Sequence, residues 1–191
     1  MKRLGRKFFE KETLSAAKSL LGKYLVRACG KGRVIAGRIA EVEAYRGKDD
    51  PGSHAFRKRT ARNEVMFGPP GRAYVYFCYG NHYLFNIVTE KEGKPGAVLI
   101  RALEPVFGIE VMMKRRRTKD LFALTSGPAK LTQALAIDKR QNRLDLTGRE
   151  LYLAEGKKEK FVITCGPRIG IKQGLDLKWR FWIKGSRFVS V

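Results

Sequence analysis

The chain has 191 residues, enough for one domain with a sizeable core. Its 40 Lys and Arg against 18 Asp and Glu leave a formal net charge of +22 and a pI of about 10.3. So large an excess argues against a merely soluble basic protein and for a polyanionic partner held by counterion release; no apolar run approaches membrane-spanning length, and no helix concentrates the charge opposite a broad apolar face as a membrane-surface protein requires.

In chain order, Thr13 is an expected N-cap for a helix over residues 14–21, with Gly22 as its stop. Residues 24–27 and 34–45 alternate like strands across a Gly30–Gly32 turn. Residues 46–72 carry charges, Gly, Pro and Asn, the composition of a long functional loop. Residues 74–78 and 83–88 are strand-like, with Gly80 and Asn81 forming a two-residue hairpin loop. A strand follows over 97–102, then helices over 106–116 and 128–135, and short strands from residue 151 onward. Elements mix without a βαβ rhythm. The expected class is α+β: one domain, a mainly antiparallel curved sheet flanked by helices, and a protruding β-hairpin.

Cys29, Cys78 and Cys165 are widely spaced and odd in number, which fits free thiols in a reducing compartment. The first residues lack the apolar core of a signal peptide, so the expected location is intracellular. With no CxxC pair and only His54 and His82, no metal or other cofactor is expected; the absence of a paired-Asp cluster disfavours a two-metal nuclease.

Three stretches carry candidate chemistry. On a regular strand Ile39, Glu41, Glu43 and Tyr45 share one face. That face alone is more readily two ordinary solvated glutamates than a site. The hairpin puts Tyr79 at its tip, where an aromatic serves equally as a wedge between base steps or as a side chain folded back on the sheet. The loop 54–63 (HAFRKRTARN) is dense in groups that bond phosphate oxygens, among them Arg57, Thr60 and Arg62; otherwise it is simply a charged loop.

Taken together, ordered strings over nearly the whole chain resemble the alkyladenine (3-methyladenine) DNA glycosylase family. They run from residues 3–9 (RLGRKFF) through 37–45 (GRIAEVEAY), Arg62-Asn63, 74–76 (YVY), Tyr79-Gly80, Asn86-Ile87, 99–105 (LIRALEP) and 126–131 (SGPAKL) to 180–186 (RFWIKGS). The resemblance implies an enzyme that flips alkylated purines from duplex DNA; no lysine motif marks a Schiff-base nucleophile, so a monofunctional enzyme that leaves an abasic site is expected, and with no dimerisation heptad a monomer. The resemblance also implies that Glu43 activates water, helped by Arg101 and the carbonyl of Ile169, and that Tyr45, His54 and Tyr76 wall the base pocket. Asn86 would clash with the amino group of guanine. Tyr79 would be the wedge, flanked by Gly80 and Asn81, and Lys130 and Lys139 would contact phosphates. Asn81 stands where the family carries a larger apolar residue. These assignments require the Glu43 carboxylate to reach an extruded nucleotide. Rival classes are a DNA- or RNA-binding module without catalysis and an RNA-modifying enzyme.

Overall fold

Strand pairing in the structure, a computed structural model describing residues 1–30, 32–78 and 80–190, follows the apolar alternation of the sequence. The strands are β1 (Tyr24–Ala28), β2 (Val34–Tyr45), β3 (Ala73–Cys78), β4 (His82–Val88), β5 (Ala97–Phe107), β6 (Leu151–Ala154), β7 (Ile163–Gly166) and β8 (Arg180–Ile183). They form one curved antiparallel sheet in the order β3-β4-β5-β2-β1-β6, with β8 pairing both β2 and β7. The helices are α1 (Thr13–Leu20), α2 (Ile109–Arg116) and α3 (Pro128–Leu135), which makes the class α+β as expected. Among the described residues no helix is long and apolar enough to cross a membrane.

Each face of the sheet has its own task. Ala73 and Val75 of β3, Phe85 and Ile87 of β4, Val98 and Ile100 of β5, and Val42 and Ala44 of β2 enter the main apolar core. Ala16, Ala17 and Leu20 of α1 and Leu131, Ala134 and Leu135 of α3 complete that core at helical spacing. Residues of opposite parity, including Tyr74, Tyr76, Leu84, Asn86, Leu99 and Tyr45, line a cavity instead.

Ile39 does not share a face with Glu43, contrary to simple alternation: it is in the main core with Val42 and Ala44. The cause is a pair of opposed irregularities between β2 and β5. Ile39 pairs with Leu103 and Glu41 with Ala102, so Ala40 is extra on β2; Val42 then pairs with Ile100, so Arg101 is extra on β5. Each extra residue reverses the side-chain parity of its strand. The ladder recovers its register while Arg101 is left facing the two carboxylates.

Other element ends differ from expectation for local reasons. Glu12, not Thr13, caps α1, accepting from the Ser15 N–H at 3.0 Å. Thr13 is the first helical residue, and its amide and hydroxyl both donate to the Glu90 carboxylate at 2.9 Å. β5 continues through Pro105 to Phe107 because Pro105 pairs with Gly37 beside another register shift, where a proline is tolerated. α2 therefore starts only at Ile109, after Gly108 at φ +72, where a Cβ would come within 2.9 Å of Ile35. The β3–β4 ladder ends at the pair Cys78–His82. Gly80 has φ +74, and the Asn81 amide donates to the Cys78 carbonyl at 3.4 Å. Tyr79 lies outside the described residues, and insertion of the hairpin into DNA remains an expectation.

Candidate active site

The cavity, about 390 Å³, opens between the β3–β4 hairpin, the start of α3 and the segment 169–171. Tyr45, His54, Tyr76, Asn86, Arg101 and Ile169 all line it, so six of the residues singled out in the sequence converge here. Met66, Leu84 and Leu99 add apolar wall, and Cys78 and His82 bring the root of the hairpin to its rim. A wall of aromatic and apolar groups with few polar ones is the usual make-up of a small-molecule or base pocket.

The aromatic wall is cross-braced. His54 stands edge-on to Tyr76 with ring centroids 4.7 Å apart, and its Nδ1 shares a 2.8 Å hydrogen bond with the Tyr74 hydroxyl. Loss of solvent around the imidazole, then the Arg62 charge, lowers the His54 pKa and favours the neutral ring. Desolvation pushes the Tyr74 hydroxyl up to about 12 and the Tyr76 hydroxyl higher still, so both remain neutral donors. Asn86 is buried, and its Nδ2 donates to the Tyr74 carbonyl at 3.1 Å, which locks the amide's orientation. Asn63 secures the loop that brings His54 in, donating to the carbonyls of His54 at 2.7 Å and Lys58 at 2.9 Å.

Glu43 stands one layer behind this wall and is 0% exposed. Its Oε1 accepts from the Ile169 N–H at 2.7 Å and lies 3.3 Å from Arg101 Nη1; its Oε2 accepts from the Tyr45 hydroxyl at 2.8 Å. All three partners line the cavity. Tyr45 thus covers the carboxylate, and two hydrogen-bond donors and the Arg101 charge compensate its burial. Ile169 engages Glu43 through its amide, a contact the sequence reading did not include. Desolvation is the largest influence on Glu43 and raises its pKa; Arg101, the Ile169 amide and the Tyr45 hydroxyl oppose that rise, and Glu41 adds to it. A carboxyl raised in this way is a stronger base once ionised. The Tyr45 hydroxyl is held well above its ordinary value, by desolvation first and then by the Glu43 charge.

Sequence reasoning passed over the group that supports Tyr45. Arg168 and Asp50 form a fully buried bidentate pair at 2.6 and 2.7 Å, and Arg168 also donates to the Ala44 carbonyl at 2.9 Å. The guanidinium lies 4.7 Å from the Tyr45 ring centroid and 5.3 Å from that of Trp179. Asp50 in turn accepts from the backbone N–H groups of Arg46 and Gly52, which closes the loop after β2. The only local signal was an arginine after Gly166-Pro167, directly before Ile169.

The expected phosphate contacts are dispersed. Arg62 is exposed, with its guanidinium 5.2 Å from the Tyr76 ring centroid. Thr60 is exposed, and its amide donates to Asn63 Oδ1 at 2.7 Å. Arg57 lines a separate cavity of about 310 Å³ together with Lys48 and Lys58. Lys130 follows Ala129, a lining residue of the main cavity, whereas Lys139 is exposed in a short 3-10 turn before β6. Among the described residues no group of three or more His, Cys, Asp or Glu is placed to hold a metal ion.

Residues 7–187 match the model of a family described as Methylpurine-DNA glycosylase. A relative from Chlorobium luteolum is 49% identical over 191 residues, covering 100% of this chain and 97% of the relative. One from Carboxydothermus hydrogenoformans is 52% identical with 98% of both chains covered, and one from Clostridium acetobutylicum is 48% identical with 99% and 98% covered. Each of these relatives bears the name "Putative 3-methyladenine DNA glycosylase".

Proposed function

The chain belongs to the methylpurine-DNA glycosylase family, hydrolases of N-glycosyl bonds in DNA, and from that premise we propose that it flips alkylated purines such as 3-methyladenine and 7-methylguanine into the Tyr45–Tyr76 cavity and releases them with a water activated by Glu43. The observation that carries this reading is the position of Glu43, whose carboxylate is held by Tyr45, Arg101 and Ile169, all of them lining residues of an aromatic cavity.

The residues divide the work. Extrusion of a base costs a few kcal/mol, least for a damaged or poorly paired one. Tyr79, which follows β3 in the sequence, is the wedge in this proposal and fills the space left behind. A purine methylated at N3 or N7 is cationic, so the faces of Tyr45 and Tyr76 attract it, and the neutral His54 adds no repelling charge. The same cationic base is a good leaving group, which reduces the need for a general acid. As the bond lengthens, positive charge develops on the sugar; Glu43 stabilises it and takes a proton from the attacking water. For water to reach Glu43 the Tyr45 hydroxyl gives up its hydrogen bond as the ring settles onto the base. Arg57, Arg62, Lys130 and Lys139 supply phosphate contacts to the flanking duplex. The product is an abasic site, and strand cleavage falls to another protein of base excision repair.

The test uses duplexes that each carry one defined lesion, assayed in chelator for release of the free base. Wild-type protein is expected to release methylated purines. Glu43→Gln is expected to bind the same duplexes and release base at least about a thousandfold more slowly. A Glu43→Gln protein with the wild-type rate removes the carboxylate from the mechanism. A wild type inactive on every lesion favours a DNA-binding module instead.

A further inference from the structure

A second carboxylate, Glu41, lies two residues before Glu43 and is also 0% exposed, but it does not line the cavity. Its Oε1 accepts from Arg101 Nε at 3.1 Å and from Arg180 Nη1 at 3.2 Å, and its Oε2 accepts from the Ser190 N–H at 2.6 Å. The Ser190 hydroxyl oxygen accepts from Arg101 Nε at 3.2 Å and Nη2 at 3.0 Å. Two corners of the Arg101 guanidinium are therefore occupied on the side away from the cavity. The third, Nη1, is the one that lies 3.3 Å from Glu43. A guanidinium is planar and rigid, so fixing two corners aims the third. Two carboxylates, Glu41 and Glu43, meet two cations, Arg101 and Arg180, and the opposed strand irregularities put Arg101 between the carboxylates.

We propose that Glu41 and Ser190 are positioning residues of the active site: together they orient Arg101 toward Glu43, and Glu41 takes up enough of the arginine charge to keep Glu43 a working base. This rests on the assignment of Glu43 as the water-activating carboxylate. The groups facing Glu43 are Glu41 and Tyr45 from β2, Arg101 from β5, Arg180 from β8, Tyr76 from β3 and the Ile169 amide. Removal of the Glu41 charge leaves Arg101 and Arg180 acting on Glu43 alone. The lost negative charge and the freed cations shift Glu43 in the same direction, toward a lower pKa and weaker basicity. Ser190 carries no charge, so its loss loosens Arg101 without that shift.

The experiment measures kcat, KM and the pH profile of base release from a 7-methylguanine duplex for the full chain and for Glu41→Gln, Ser190→Ala and Glu43→Gln. Glu41→Gln is expected to lower kcat roughly ten- to hundredfold with KM unchanged, and to move the acidic limb of the profile to lower pH. Ser190→Ala is expected to lower kcat several-fold, with KM and the limb unmoved. A purely structural role would not move the limb. A folded Glu41→Gln protein with the wild-type kcat and limb overturns the proposal; should that variant fail to fold, Ser190→Ala with the wild-type kcat overturns it alone. An active Glu43→Gln overturns the underlying mechanism and this inference with it. An inactive Glu43→Gln beside fully active Glu41→Gln and Ser190→Ala overturns the inference only.

Discussion

Arg168 and Arg101 are both buried close to Tyr45, and they are bonded in different ways. Arg168 is paired with one carboxylate: both terminal nitrogens meet Asp50, a backbone carbonyl takes a further bond, two aromatic rings lie against the guanidinium, and Nε is left without a hydrogen-bond partner among the described residues. Arg101 is divided among two carboxylates and a serine, and it borders the cavity. That Nε is buried and Arg168 does not line the cavity, so it serves as scaffold for Tyr45 and for the segment that carries Ile169. A divided guanidinium keeps one corner toward the chemistry. Burial alone says little about the role of a charge; which partners it holds, and whether it borders the cavity, says more.

That contrast can be broken or sharpened by mutation. The largest effect belongs to the Asp50–Arg168 pair. Asp50→Ala leaves Arg168 buried and uncompensated and is expected to cost roughly 3–5 kcal/mol in a denaturant titration, whereas removing both partners together should cost less. A loss below about 1 kcal/mol for Asp50→Ala would mean that the pair is not a scaffold.

Next is Tyr45→Phe, which keeps the ring over Arg168 but deletes one donor to Glu43. That donor lowers the Glu43 pKa in the free protein, so its removal moves the acidic limb of the kcat/KM profile for base release to higher pH. An unmoved limb would make the hydroxyl a passive cover.

The smallest effect concerns stability. Glu43 is raised in the folded protein, so the native state binds its proton more tightly than the unfolded chain does. Its contribution is fully present below the unfolded carboxyl value of 4.5 and is lost as pH rises through the folded value. Glu43→Gln, which never ionises, should therefore melt above wild type at neutral pH, with the gap narrowing as pH falls toward 4.5. A variant less stable than wild type at pH 7 would show that the Arg101 attraction outweighs desolvation.

Much of the fold was legible because apolar alternation is a local property. The starts of β1, β2 and α3 follow from residues within a few positions of them, including Pro128 at the first turn of α3. The faces of β2 were not legible beyond Ile39. The extra residue at Ala40 exists only because β5 pairs across it, and nothing in the β2 residues announces that partner. The cap of α1 was misread for a similar reason: Thr13 is drawn to Glu90 by a contact spanning 77 positions, which leaves the cap to Glu12.

The site divides in the same way. Glu43, Tyr45, Tyr76 and Asn86 sit in recognisable strings, so their candidacy could be stated from sequence, and the same ordered strings pointed to the family that the comparisons show. The chain's composition likewise determined its strong positive charge and its need for an anionic partner. What only the tertiary structure decided is the bonding of the buried charges: Asp50 with Arg168 across 118 positions, Glu41 with Ser190 across 149, and Glu43 behind Tyr45 rather than open to the cavity. Ion pairs form wherever folding brings opposite charges out of water together, and in a chain with 40 basic residues the sequence alone offers each carboxylate many partners of equal merit.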